Sequence, residues 1–215
     1  EHRRHGLMLH SFAGGTQSKE QKLYEASKAN DVRKAAQLIA LKADPNGHRE
    51  QGASCLHAAC QLVLGRYELL GHKLSSKEIV ALLLGARAEP MAEDADGWQA
   101  LHWAASVNAE EPIRMLLEHG AEPNVRTRRG EAPLHWAAKS DAARAVRALA
   151  SCPRTDLLCR TSSADQESAL EWARSFRSAA AEAALKAALA AAGSAGAAHV
   201  AVVEARGPVS PGPFS

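Results

Sequence analysis

The sequence predicts an all-α solenoid of about five stacked helix–turn–helix repeats, and three observations carry that prediction. The first is a recurring motif. Gly130-Glu131-Ala132-Pro133-Leu134-His135-Trp136-Ala137-Ala138 is matched by Gly97-Trp98-Gln99-Ala100-Leu101-His102-Trp103-Ala104-Ala105, with the two leucines 33 residues apart (134 − 101). Gly52-Ala53-Ser54-Cys55-Leu56-His57-Ala58-Ala59 is a third copy and Gln166-Glu167-Ser168-Ala169-Leu170-Glu171-Trp172-Ala173 a degenerate one. Leu23-Tyr24-Glu25-Ala26 is a faint first copy, 33 residues before Leu56 (56 − 23). A fixed period with one turn and one helix start per unit is the signature of stacked repeats. The second observation is what each copy encodes. Gly130 is free to take positive φ at the end of a turn, and Pro133 suits a first helical position, where its missing N–H is not needed. Leu134, Ala137 and Ala138 then share one helix face, and the two small alanines let a neighbouring helix approach closely. The third is composition: 215 residues, 46% hydrophobic but only 4% aromatic. Such an alanine-rich chain suits thin helix pairs better than one thick core.

The Gly-x-x-Pro-Leu-His-x-Ala core around Leu134 resembles the ankyrin repeat. The unit ends Ala43-Asp44-Pro45-Asn46 and Gly120-Ala121-Glu122-Pro123-Asn124 are similar to that family's exit from a helix into a hairpin finger. The resemblance covers roughly residues 18–193. It implies an ankyrin-repeat solenoid with short hairpin fingers and repeats at about 18–46, 47–91, 92–124, 125–159 and 160–193.

Taken in order, residues 1–17 read as a flexible basic arm, with His2, Arg3, Arg4 and His5 before Gly14-Gly15. Repeat one has a short polar first helix around Leu23 to Ala29 and a second carrying Val32, Ala35, Ala36, Leu38 and Ile39, as a terminal cap requires. Lys42 stands where a glycine is usual; a left-handed conformation there costs about 1 kcal/mol. Repeat two holds an insert. Leu56 to Ala88 spans 32 residues, whereas Leu101 to Ala121 spans 20, a difference of 12 (32 − 20) placed within residues 61–74. Leu62, Val63, Leu64, Tyr67, Leu69 and Leu70 make it apolar, and two readings stand: an extended first helix covering its own apolar face, or a binding element on one face of the stack. Ser75-x-x-Glu78 predicts a capping box for a helix over Lys77 to Leu84. Repeat three turns Ile113, Leu116 and Leu117 inward and ends on Gly120. Repeat four uses Val146 and Leu149 in a helix from about Ala142 to Ala150. Its exit through Cys152-Pro153-Arg154 lacks the usual glycine, and its finger is three residues longer (170 − 134 = 36, against 33). Repeat five ends in a helix over about Ser178 to Ala191, favoured by the high helix propensity of alanine and stopped at Gly193. Residues 194–215 read as a disordered Gly/Ala/Pro-rich tail, in which Pro208-Val209-Ser210-Pro211 is a bare PxxP match.

Several function classes are disfavoured. A net charge of +2 argues against nucleic acid. No apolar run of about 18 residues predicts a membrane span. Cys55, Cys60, Cys152 and Cys159 match no common zinc spacing; Cys55 and Cys60, in a predicted helix start and helix body, read as buried thiols, and a reducing compartment fits. No nucleophile elbow, dinucleotide fingerprint, phosphate loop or metalloprotease motif is present in the sequence, so no catalytic residue, metal or cofactor is expected. His57, His102 and His135 recur at one repeat position. Stacked helices hold equivalent side chains about 10 Å apart, too far to share one ion at about 2.1 Å. The resemblance implies a structural job instead, each imidazole binding turn backbone of neighbouring units beside Leu56, Leu101 and Leu134. Glu171 replaces histidine in the last copy, which predicts a looser last interface. Cys55-Leu56-His57 brings a thiol near an imidazole, but both occupy core positions.

The candidate binding residues are aromatic and basic. Roughly 100° per residue puts Trp103 about 200° from Leu101, away from the packing face, and Trp136 and Trp172 repeat that position. The resemblance places that side on the concave groove. Trp98, Trp103, Trp136 and Trp172 then either anchor a partner, as tryptophans often do, or lie flat against the next repeat. In the fingers, Arg126, Arg128 and Arg129 form the sharpest basic cluster; either they pair with Glu93 and Asp96 of the preceding finger, worth about 0–1 kcal/mol per pair, or they meet an acidic partner. The expected function is a non-catalytic, monomeric protein-binding module of the cytoplasm or nucleus. The alternative is the recruiting segment of an enzyme whose catalytic domain lies elsewhere. Because residue 1 is Glu rather than Met, a fragment or processed chain is expected.

Overall fold

The computed structural model describes residues 17–61, 76–162 and 166–205, with side chains to residue 193. The basic arm up to residue 16, residues 62–75, which hold all of the expected 61–74 insert but Gln61, and residues 206–215 lie outside the described residues. Both readings of the insert, a longer helix and a binding element, fall on that segment. Among the described residues five helix pairs succeed one another: α1 Lys19–Lys28 with α2 Val32–Ala40, α3 Cys55–Gln61 with α4 Lys77–Gly85, α5 Ala100–Ser106 with α6 Glu110–Glu118, α7 Pro133–Lys139 with α8 Ala143–Ala150, and α9 Ala169–Ser175 with α10 Ala179–Ala205. First helices pack on first helices down the stack, and second helices on second helices. The described residues contain no named strand. Three fingers are turns closed by single bridges, Glu50 with Ala53, Glu93 with Gln99 and Arg160 with Ser168, and the one before α7 is closed by Thr127 N donating to Glu131 O at 2.9 Å.

The motif leucines form the core. Leu23, Leu56, Leu101 and Leu134 are all buried, as are the small residues three and four positions after each, Ala26 and Ser27, Ala59 and Cys60, Ala104 and Ala105, Ala137 and Ala138. Leu170 is only partly buried, because no further first helix covers α9. Ile113, Leu116, Val146, Leu149 and Leu185 supply the outer layer, and each is fully buried.

The connections depend on left-handed residues. Asn30, Asn108, Asp141 and Arg177 take φ of 53°, 59°, 52° and 58° between paired helices, and Lys42, Arg87 and Gly120 take 60°, 64° and 92° after the second helix. Lys42 therefore carries the left-handed strain of about 1 kcal/mol. Asn and Asp tolerate this region, and here they also bind: Asn108 Oδ1 accepts from Ala145 N at 3.0 Å, and Asp141 Oδ1 from Ala181 N at 2.8 Å. Each satisfies a first-turn amide of the next repeat's second helix, which has no partner within its own helix. The glycine-less exit of repeat four is closed instead by Thr155, whose hydroxyl donates to Leu149 O at 2.6 Å.

Two helix ends differ from the sequence expectation. The N-cap of α4 is Ser76, with no side-chain cap bond, in place of the box expected at Ser75. α10 does not stop at Gly193 but runs to Ala205, so residues 194–205 are helical and not a disordered tail. One glycine costs a helix only about 1 kcal/mol, and the alanines before Gly193 and around Gly196 keep the helix propensity high. Among the described residues no helix is long and apolar enough to cross a membrane.

Candidate functional site

The three motif histidines stitch the repeats together. The Nδ1 of His57 accepts from Ser54 N at 3.1 Å, that of His102 from Gln99 N at 3.1 Å, and that of His135 from Ala132 N at 3.2 Å. Accepting at Nδ1 leaves the proton on Nε2. Nε2 then donates to the following finger: His57 to Trp98 O at 2.9 Å, His102 to Glu131 O at 3.2 Å, and His135 to Glu167 O at 3.1 Å. Burial disfavours the charged imidazolium and lowers all three pKa values, that of His102 to about 4. With both nitrogens committed to backbone, these rings bind structure. Among the described residues no three His, Cys, Asp or Glu side chains converge to hold a metal. Cys55, Cys60 and Cys159 are buried, and desolvation pushes their thiols up to about 11, 12 and 11, which removes the thiolate a nucleophile needs.

The looser last interface expected from Glu171 is corrected by this geometry. Each histidine serves the interface that follows it, so the fourth and fifth repeats are joined by His135. Glu171 occupies the position that would face a sixth repeat. It stays exposed and folds back on its own helix start instead, accepting from Ser168 N and Oγ at 2.6 and 2.7 Å as a local cap of α9.

The tryptophans form one cluster across three repeats. Trp98 centres it, its ring centroid 4.8 Å from that of Trp103 and 4.3 Å from that of Trp136, tilted by 43° and 50°. Trp136 meets Trp172 edge-on at 6.0 Å, and Trp172 meets Phe176 at 5.9 Å. The expected row of equivalent residues is thus unequal. Trp98, Trp103 and Trp136 are half-buried, whereas Trp172 is 9% exposed, closed in by Trp136, Phe176 and the imidazole of His135 at 5.5 Å. Trp98, Trp103 and Trp136 line a cavity of ≈ 290 Å³ together with Asp94, Asp96, Thr127, Arg128, Arg129 and Glu131. Here the helix starts of repeats three and four meet the turns that precede them. Asp94 shapes one wall, its Oδ1 accepting from Asp96 N and Trp98 N at 2.9 Å each, its Oδ2 from Trp103 Nε1 at 3.4 Å. Lys139 lies over the far side, its Nζ 4.5 Å from the centroid of Trp136 and 5.1 Å from that of Phe176.

The finger arginines do not make the ion pairs the sequence suggests. Arg126 Nη1 donates to the carbonyls of Gly130 and Arg160, and no pair among the described residues joins it to Glu93 or Arg129 to Asp96. Fingers three and four meet through backbone, Arg128 N to Asp96 O at 3.2 Å. This close approach explains Gly97, at φ +77°, whose added Cβ would lie 3.0 Å from Arg128 N. Arg128 and Arg129 are left exposed at the cavity.

Sequence reasoning does not single out Asp94, Thr127, Glu131 or Lys139. Asp94 carries a legible signal, an Asp-x-Asp-Gly turn that favours side-chain-to-backbone bonding. Lys139 sits three residues after Trp136, on the same helix face. Glu131 and Thr127 carry none, since only the stacking of finger four brings them to Trp98.

A family model for ankyrin repeats (3 copies) matches residues 23–127 and 72–161, more than half of the 215 residues. No curated protein matches the chain.

Proposed function

The chain belongs to the ankyrin repeat family, and from that premise we propose that it is an interaction module seating a partner protein on the indole-lined cavity between its third and fourth repeats. Ankyrin repeats are generally protein–protein interaction modules and generally non-catalytic. The observation that carries the finer reading is the half-buried trio Trp98, Trp103 and Trp136 around one cavity. Repeat two holds Ala58 at the position of Trp103 and Trp136, so a packed first helix needs no indole there. Partly exposed tryptophans beside arginines have the composition of interface hot spots. The concave groove that the family's architecture provides would present them together, with Arg126, Arg128 and Arg129 on the finger side.

The test is comparative capture from cell extract, read by mass spectrometry, with the intact chain, its Trp103→Ala variant and an Ala183→Arg variant on the exposed face of α10. The proposal expects one set of proteins lost with Trp103→Ala and kept with Ala183→Arg. Partners kept by the Trp103 variant and lost with the α10 variant would move the binding face to the opposite layer. The same module acting as the recruiting segment of a larger enzyme would bind in the same way, and nothing in the cavity favours that reading over a free-standing adaptor.

A further inference from the structure

We propose that the cavity of Trp98, Trp103 and Trp136 takes the methylated ammonium of a lysine side chain in the partner polypeptide, an assignment that rests on the interaction-module reading above.

The rings supply the first argument. Flat stacking would close both faces of Trp98, but its tilts of 43° and 50° to its neighbours leave wedges that open on one side, and one cavity of ≈ 290 Å³ touches all three indoles. That is several times the roughly 30 Å³ share of one liquid water. The negative face of an indole attracts a cation, best of all among the aromatic side chains. The molecule already uses this row in that way: Lys139 Nζ sits 4.5 Å from the Trp136 centroid and 5.8 Å from that of Trp172, and no described carboxylate pairs with it.

Charge supplies the second. Asp94, Asp96 and Glu131 line the cavity, and none forms an ion pair with a described residue. Their field, partly offset by Arg128 and Arg129 on the same lining, favours a cation, yet the carboxylates of Asp94 and Glu131 already accept hydrogen bonds. Both oxygens of Asp94 accept from Asp96 N, Trp98 N and Trp103 Nε1, and Glu131 Oε2 accepts from Thr127 Oγ1 at 3.0 Å. An unmodified lysine brings three N–H donors that each need an acceptor once water is excluded. Methylation removes donors, keeps the charge and adds apolar surface, matching a cavity that sets charge beside three indoles and whose indole-bonded carboxylate, Asp94, is already engaged. Arg128 and Arg129 argue for a polypeptide over a small quaternary amine. They are exposed at the same cavity without ion pairs to described residues, where they would meet an acidic residue flanking the methyl-lysine.

The experiment is a peptide array with one central lysine in its four methylation states and randomised flanks, read with the intact chain. The best peptide is then titrated calorimetrically beside its isostere carrying a neutral tert-butyl carbon in place of trimethylammonium. Di- or trimethylated peptides are expected to bind about tenfold tighter than unmodified ones, and the isostere about fivefold or more weaker. Trp103→Ala should abolish the preference, and Trp103→Phe should retain part of it. Equal binding of the isostere would overturn the assignment, since the cavity would then be merely apolar. So would equal binding of unmodified acidic peptides, of choline alone, or no methylated peptide preferred anywhere in the array. If the preference is absent while partner capture still depends on Trp103, the interaction module stands and only the methyl-lysine assignment falls.

Discussion

Acidification from pH 7 to pH 5 is expected to destabilise the repeat stack through its interface histidines, and His102 sets the scale. Its pKa is about 4 in the fold, against an ordinary value of 6.5, chiefly because burial penalises the imidazolium. Between those values the unfolded chain binds a proton that the folded one refuses. The stability His102 contributes is therefore fully present above pH 6.5, falls as pH drops through the window, and is lost below about 4. The difference of about 2.5 (6.5 − 4) corresponds to about 3 kcal/mol over the whole window, of which about 2 kcal/mol is lost by pH 5. His57 and His135, lowered by the same burial, add in the same direction. Glu20, Glu171 and Glu182 have pKa values lowered from 4.5, chiefly by hydrogen bonds to the carboxylate, so the stability they contribute is present above 4.5 and is lost as pH falls further. The assay is urea unfolding at half-unit steps from pH 7.5 to 5, comparing the native chain with His102→Gln. The variant starts less stable, because its bond to Glu131 O is altered, but its dependence on pH should be shallower by about one proton. An unchanged pH slope in His102→Gln, or a folded-state NMR titration of the His102 ring near 6.5, would refute the reasoning.

Other outcomes rest on the same packing. Leu101→Ala should cost about 2–5 kcal/mol in urea unfolding, because the side chain is fully buried; Trp103→Ala, at a half-buried site, should cost less while weakening partner binding by about 2 kcal/mol. Gly130→Ala should destabilise far more than Gly120→Ala. Both residues have positive φ, but a Cβ at Gly130 runs into the side chain of Ser162 and lies 2.6 Å from its backbone N, whereas nothing lies within 4 Å of one at Gly120. Equal thermal midpoints for the two variants would show that finger packing does not constrain Gly130. Asp141→Ala should cost about 1–3 kcal/mol by leaving Ala181 N unpaired and placing alanine in the left-handed region, while Asp141→Asn should be near neutral.

What the sequence determined alone was whatever repeats within one period. The spacing of Leu56, Leu101 and Leu134, each followed by its histidine and small residues, contains the fold, because the burial of one face and the turn before it are local and recur. The same periodicity located Trp103 and Trp136. Tertiary structure decided whatever depends on the neighbour. Trp172 has the same sequence position as Trp103, yet Phe176 and His135 close over it, because the end of a stack offers a different partner. Finger charges that look complementary along the sequence remain apart, since backbone bonds between turns set the spacing first. The helix α10 passes through Gly193 and Gly196 because isolated glycines, at about 1 kcal/mol each, are weak stops in an alanine-rich helix. The cavity itself joins Asp94 and Trp98 of one repeat to Thr127 and Glu131 of the next, and only the stacking of repeats, which no single unit encodes, brings those side chains to one place.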